Sequence, residues 1–314
     1  MKVVRVKGFG DVDQLEFVEV PDPEPQPGQV CIRVKAAGLN YADVMQREGL
    51  YPGGPKPPFI PGVEAAGVVE LSDSLPVGSR VVAIAPNGCL AERVCVGAAA
   101  CMPIPESMSF EEAAAFPVQY LTAYHALTTV GRAEPGDTVL VHAAAGGVGT
   151  AAIQIGKLLG LRMIGTASSE EKRKRVLELG ADGALSYEEF DQKLSGKDAP
   201  AVILEAVGGD VFRRSLAILP SLGRLVVYGA ASKDVQPIDT LKILFRSQGV
   251  LGLHLSAIFE RPALLSRSLG VMFEWISQGK LKMQVGHVLP LAQIAEAHQL
   301  ISSRKSYGKI VLLP

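Results

Sequence analysis

The chain has 314 residues, with 31 Lys and Arg against 32 Asp and Glu, a formal net charge of −1, and 48% apolar against 20% charged residues. That length and apolar share suit a soluble globular protein with room for two domains, and the balanced charge leaves no footprint for nucleic acid or an anionic membrane. No apolar run approaches the roughly 20 residues of a membrane-spanning helix, and Met1-Lys-Val-Val-Arg-Val-Lys7 mixes charge into its apolar residues, unlike a signal peptide, so a cytoplasmic location is expected.

The N-terminal part reads as β structure. Val4 and Val6, then Leu15, Phe17 and Val20, alternate before the turn-forming Pro21–Gly28. Val30, Ile32, Val34 and Ala36 alternate with Arg33 and Lys35, the period of a half-buried antiparallel strand. Further strands are expected over 63–71, 79–85 and 90–96. Between the early strands, 38–58 is expected to be a long irregular passage, the kind of loop on which sites sit. The cysteines, Cys31, Cys89, Cys95 and Cys101, form no C-x-x-C pair and lie apart from the histidines at 125, 142, 254, 287 and 298. Reduced structural thiols and no metal site are therefore expected.

From Ser109 the pattern turns helical, and Ser109 with Glu112 has the spacing of a capping box. Val139–Val141 then reads as a buried strand running into Ala143-Ala-Ala-Gly-Gly-Val-Gly149 and a helix that ends at Gly160. Gly146 and Gly149 fill the second and third places of the G-x-G-x-x-G fingerprint, while Ala144 stands at the first. On the glycines alone, a dinucleotide site and a merely packing turn are both open. Strand and helix patterns alternate through 161–166, 170–179, 201–205, 210–219 and 224–228, which predicts a doubly wound parallel sheet. Helices over 262–278 and 294–302 lead to a closing strand, Lys309–Leu313.

Several stretches then combine into a recognisable pattern. Gly38-Leu-Asn-Tyr-Ala-Asp43 with Gly49-Leu-Tyr51, Pro61-Gly-Val-Glu-Ala-Ala-Gly-Val-Val69, Leu121-Thr-Ala-Tyr124, the glycine turn, Leu179-Gly-Ala-Asp182, Tyr228-Gly-Ala230 and Gly308-Lys-Ile-Val-Leu312 occur in order along nearly the whole chain. Together they resemble the zinc-independent medium-chain dehydrogenase/reductases, in the NADPH:quinone oxidoreductase, or zeta-crystallin-like, branch. The resemblance implies an α/β protein with a GroES-like β domain (1–115 and 256–314) and an inserted Rossmann domain with a doubly wound parallel sheet (116–255). It also implies a coenzyme in the interdomain cleft and a homodimer joined along the Rossmann sheet edge near Gly249–Leu253.

The zinc-using branch carries ligands where this chain has Asn40 and Val63, neither of which would hold zinc in that way. Without a Lewis acid, reduction of an already electrophilic quinone or enone fits better than oxidation of a simple alcohol. NADPH is favoured over NADH because the second strand is followed by Ser168 and Ser169, not by an acid for the ribose hydroxyl. Lys172 follows one helical turn on, and the family places this serine and lysine, with a tyrosine matching Tyr187, around the extra phosphate. Glu170 and Glu171 argue the other way unless they point outward.

By resemblance the remaining coenzyme contacts fall at Thr122, Ala145, Gly146, Gly147, Val148, Gly149, Val207, Tyr228, Gly229, Ala230, Leu253, His254, Leu255 and Lys309. Thr122 has a packing or capping role as its rival, and Lys309 a surface role at a strand start. Asn40 and Tyr51 are candidates to position the substrate oxygen, with Asp43 supporting the loop; a purely structural role for each is the rival. His142 reads as core. The expected activity is NADPH-dependent hydride transfer to a quinone, the alternatives being an enone or enoyl reductase and an NADPH-binding protein of low turnover.

Overall fold

Apolar alternation in the N-terminal part pairs into antiparallel strands, and the later strand–helix repeats wind into a parallel sheet; the computed structural model describes all 314 residues. In chain order the elements are β1 (Lys2–Val6), β2 (Leu15–Glu19), β3 (Gln29–Leu39), α1 (Tyr41–Glu48), β4 (Glu64–Ser72), β5 (Arg80–Ile84), β6 (Arg93–Gly97), β7 (Cys101–Pro103), α2 (Phe110–Ala114) and α3 (Pro117–His125). A π-helical turn, Ala126–Val130, extends α3. Then follow β8 (Thr138–Val141), α4 (Gly147–Leu158), β9 (Arg162–Thr166), α5 (Glu170–Glu178), β10 (Gly183–Leu185), α6 (Phe190–Lys193), β11 (Val202–Glu205), α7 (Gly209–Ile218) and β12 (Arg224–Val227). The chain ends with α8 (Thr240–Arg246), β13 (Gly249–Gly252), α9 (Ser256–Phe259), α10 (Pro262–Ser277), β14 (Val285–Pro290), α11 (Ile294–Ser302) and β15 (Lys309–Leu313). No helix is long and apolar enough to cross a membrane.

Two compact units result, Met1–Val118 with Met283–Pro314, and Gln119–Lys282. In the first, a seven-stranded sheet runs β14-β15-β3-β4-β5-β7, with β6 also on β3. Its core gathers Val30, Ile32 and Val34 of the period-2 pattern with Val69, Val81 and Ile310. The closing strand β15 lies antiparallel to β3, Ile310 opposite Leu39. The supposedly irregular passage contains α1, because the Asp43 carboxylate reaches back to the Asn40 N–H at 2.7 Å, half of a capping box written with Asp.

The second unit holds the six-stranded parallel sheet, in the order β10-β9-β8-β11-β12-β13, over a core of Leu140, Ile164, Ile203, Phe212 and Leu225. Its end lies at Lys282, later than the expected boundary at 255/256. The reason is packing of α10 on α3: Ser268 Oγ lies 3.1 Å from His125 Nε2, and the Trp275 ring lies 6.3 Å from that of Tyr124.

The cysteines depart from expectation. Cys31 and Cys95 form a disulfide, with Cα atoms 4.1 Å apart at paired positions of β3 and β6. Sixty-four positions apart in sequence, they become neighbours only through strand pairing. Cys89 and Cys101 are the buried free thiols.

His298 on α11 is fully buried, and its ring nitrogens find no hydrogen-bond partner in the protein. Burial, and then the charge of Arg47, pushes its pKa down to about 3. A base with a depressed folded pKa gives stability that is whole above the unfolded value of about 6.5 and is lost as the pH falls, since the unfolded chain takes up the proton first. Between pH 7 and 5 the native chain should lose about 2 kcal/mol more than His298→Leu, read by urea unfolding. Equal losses would show that folded His298 protonates freely.

Candidate functional site

The glycine turn lies in the second unit, between β8 and α4. Ala143 is the left-handed residue (φ 51°), and Ala144, at the first place of the fingerprint, donates its N–H to Thr166 O. Gly149 has the packing task of the third glycine: a Cβ there would meet Ala143 O and Ala144 Cα. Helix α4 starts at Gly146 without a side-chain cap and with no acid in its first turn. By contrast, α2 and α5 have serine caps, Ser109 and Ser169, followed by Glu111, Glu112 and by Glu170, Glu171. The first-turn amides of α4, including those of Gly147, Val148 and Gly149, have no acceptor within the helix and lie at its positive end. They stand where the sheet reverses its winding, since β8 pairs with β9 on one side and β11 on the other.

The same end of the sheet carries the other candidates of this unit. Ser168 is exposed after β9, and Ser169 caps α5 by accepting the Lys172 N–H at 3.3 Å. Lys172 is half-buried, and burial lowers its pKa. Glu170 and Glu171 are exposed, the latter paired with Arg175, so the counter-argument they raised weakens. Tyr187 follows β10, which pairs with β9 as Thr166 opposite Leu185, and its hydroxyl accepts the Ala143 N–H at 3.0 Å. Val207 and Gly208 donate to the buried Glu205 carboxylate, whose pKa burial raises. The Gly229 and Ala230 turn follows β12 and Tyr228, whose N–H bonds Glu205 O. Leu253 bonds Val227 O, the exposed His254 contacts Ser256 Oγ at 2.6 Å, and Leu255 follows. Ala145 and Thr122 are buried.

The first unit gathers the remaining candidates, except Tyr51, around a lysine. Lys309, weighed as a surface residue, is fully buried and ion-paired with the fully buried Glu64. Its Nζ also donates to Asn40 Oδ1 at 2.7 Å, while Asn40 Nδ2 donates to Glu64 Oε1 at 2.8 Å. The other Glu64 oxygen accepts the Val118 N–H at 2.9 Å. Both ends of the Asn40 amide are therefore engaged inward, a geometry that argues against Asn40 as the substrate's donor. Gly38 makes room for the cluster, because a Cβ there would run into Ala114 O, Lys309 Cε and Glu64 Oε1. Asp43 accepts N–H bonds from Asn40 and Gly62, yet burial pushes its pKa up to about 7. Tyr51 is half-buried; burial and then the Asp43 charge raise its hydroxyl pKa, so it stays protonated as a donor at neutral pH.

Glu64 and His142 were not singled out in the sequence as site residues. A lone acid opening an apolar strand, and a histidine ending one, are the signals that mark them.

Residues 26–106 match the alcohol dehydrogenase GroES-like domain and residues 147–269 the zinc-binding dehydrogenase domain. Along its full length the chain is 34% identical to the Rattus norvegicus synaptic vesicle membrane protein VAT-1 homolog, 84% of which it covers. The chain belongs to the medium-chain dehydrogenase/reductases, in their zinc-independent, zeta-crystallin-like branch. This medium-chain dehydrogenase/reductase is 40% identical to the quinone oxidoreductase of Thermus thermophilus, solved also in complex with NADPH, with a TM-score of 0.89 and full coverage of both chains. It is 35% identical to part of a phenolphthiocerol/phthiocerol polyketide synthase protein of Mycobacterium tuberculosis, over 96% of this chain and 14% of that protein. Despite the name of the matched domain, no group of three or more His, Cys, Asp or Glu that could hold a metal ion is present.

Removing one partner of a buried ion pair strands the other charge. Lys309→Met should therefore destabilise the protein by about 3–5 kcal/mol in urea unfolding, and adding Glu64→Gln should recover more than half of the loss. A loss that the second substitution deepens would mean that the two charges do not compensate each other.

Proposed function

We propose that this chain is an NADPH-dependent reductase that transfers hydride to a quinone without a metal ion. The observation that carries this reading is the uncapped, acid-free N-terminus of α4 at the point where the parallel sheet reverses. It offers backbone N–H groups and a positive dipole end to a pyrophosphate. The coenzyme, when bound, supplies the hydride.

The residues divide the remaining work. Gly146 to Gly149 hold the pyrophosphate, and Ser168, Lys172 and Tyr187 receive the 2′-phosphate. Burial already lowers the Lys172 pKa, so an anionic partner restores to its ammonium some of the stabilisation that burial removes. Thr122, Ala145, Val207, Tyr228, Gly229, Ala230 and Leu253 to Leu255 line the nucleotide. Tyr51 donates to the substrate oxygen as electrons arrive, while Asn40, Asp43 and Lys309 fix the start of α1 that precedes it. Reduction of an enone is the second reading, favoured by the polyketide synthase relative, because polyketide assembly works on carbonyl-bearing chains.

A homodimer fits the second unit. Strand β13 ends its sheet with one unpaired edge, and the preceding segment exposes Val235, Leu241, Leu244 and Phe245. We propose that a second copy pairs there.

Steady-state assays with quinone and enone panels should give turnover with NADPH that survives a chelator, with quinones the better acceptors. Lys172→Ala should raise the KM for NADPH about tenfold and leave NADH nearly unchanged, as for loss of one charged hydrogen bond. Equal efficiency with both coenzymes would overturn the NADPH reading, and tight NADPH binding without turnover on either panel would leave a binding protein. Phe245→Asp should shift the sedimentation of the protein from dimer toward monomer.

A further inference from the structure

His142 closes β8 and is fully buried, but it is more than apolar filling. Its Nε2 lies 2.7 Å from Ser215 Oγ on α7, and its Nδ1 lies 2.9 Å from Thr166 Oγ1 at the end of β9. Ser215 gives its hydroxyl proton to Val211 O, at 2.7 Å, so it accepts from His142. That assigns the ring proton to Nε2 and makes Nδ1 the acceptor of the Thr166 hydroxyl. Burial, and then the Arg214 charge, pushes the pKa down to about 3, which keeps the ring neutral in this one tautomer at neutral pH.

This fixed ring lies beside Tyr187. The two centroids are 6.1 Å apart with planes inclined by 20°, and Phe190 meets His142 edge-on at 4.9 Å. The next residue along, Ala143, gives its N–H to the Tyr187 hydroxyl. Arg214 completes the setting: it lies over the Phe190 ring at 4.6 Å, pairs with Asp191 and donates to Tyr187 O at 2.7 Å. Tyr187 is thus located through its ring by His142, through its hydroxyl by Ala143 and through its backbone by Arg214.

We propose that His142 is a positioning residue for coenzyme selection, holding Tyr187 at the ends of β8, β9 and β10 where the 2′-phosphate of NADPH is received. This rests on the NADPH reading above. Its physical basis is that a polar group selects a ligand only while its own placement is locked by its neighbours, and a displacement of about 1 Å is enough to spoil it. His142 is suited to the task because its partners lie in four places, β9, the segment after β10, α6 and α7.

The test measures Kd for NADPH and NADH by protein fluorescence with the full chain, together with Tm, for the native protein, His142→Gln, Tyr187→Phe and the double variant. His142→Gln keeps an amide to serve Ser215 and Thr166 but removes the ring face; Tyr187→Phe keeps the face and removes the hydroxyl. Each should weaken NADPH binding about tenfold while NADH stays within about twofold, and the double variant should be no worse than about twofold beyond either single one. Equal weakening of both coenzymes, or additive effects in the double variant, would overturn the positioning role. Should His142→Gln fail to fold, Ser215→Ala, which loosens the same ring, must produce the same NADPH-selective loss or the proposal falls. A native protein without preference for NADPH would overturn the coenzyme reading itself, and this is seen before any variant is made.

Discussion

The fully buried ion pair of Glu64 and Lys309 is the constraint on which the first unit turns. Two charges removed from water each cost several kcal/mol even after relaxation, and their mutual attraction offsets this only where further hydrogen bonds complete the shells. Here the Asn40 amide bridges both charges and the Val118 N–H serves the second carboxylate oxygen. The pair therefore fixes three things together: the register of β15 on β3, the start of α1, and the bare Cα at Gly38. Asp43, one step away, has its pKa raised chiefly by burial, which outweighs the N–H bonds it accepts and the nearby Lys309 charge.

The second unit treats charge in the opposite way. Helix α5 is closed by its own serine and acids, while α4 is left open. A helix end that the chain declines to satisfy is suited to an anion from outside. The first unit thus pairs its deepest charges internally, whereas the second leaves one helix end unsatisfied by its own side chains.

Much of the architecture was legible because periodicity reports burial directly: β3, β9, β11, β12, α10 and α11 fall within a few residues of their expected ranges. What escaped depends on contacts distant in sequence. Helix α1 hid behind turn-forming neighbours, although Asn40 and Asp43 carried its cap. The disulfide pairs residues that only β3–β6 register brings together. Lys309 reads in the sequence as either a coenzyme contact or a surface cation, because a sequence cannot show that its carboxylate partner is 245 positions away. His142 looked like core, which its burial bears out, but the hydroxyls that orient it sit 24 and 73 positions along. The glycine turn and the Ser168, Lys172 and Tyr187 group were legible as candidates because parallel strands deliver their C-terminal ends to one side.

The first unit is built from both ends of the chain, with the second unit as an uninterrupted insert. This sets an order of events during synthesis. As the chain leaves the ribosome, Gln119–Lys282 is complete and able to fold while the earlier segment still lacks β14 and β15, and Glu64 still lacks its counter-charge. Folding the insert early brings its two ends together, replacing a long flexible loop by a short effective one and lowering the entropy cost of closing β15 onto β3. A closed insert thereby favours the pairing of β15 with β3, and a chain truncated before Lys309 leaves the Glu64 carboxylate without its cation.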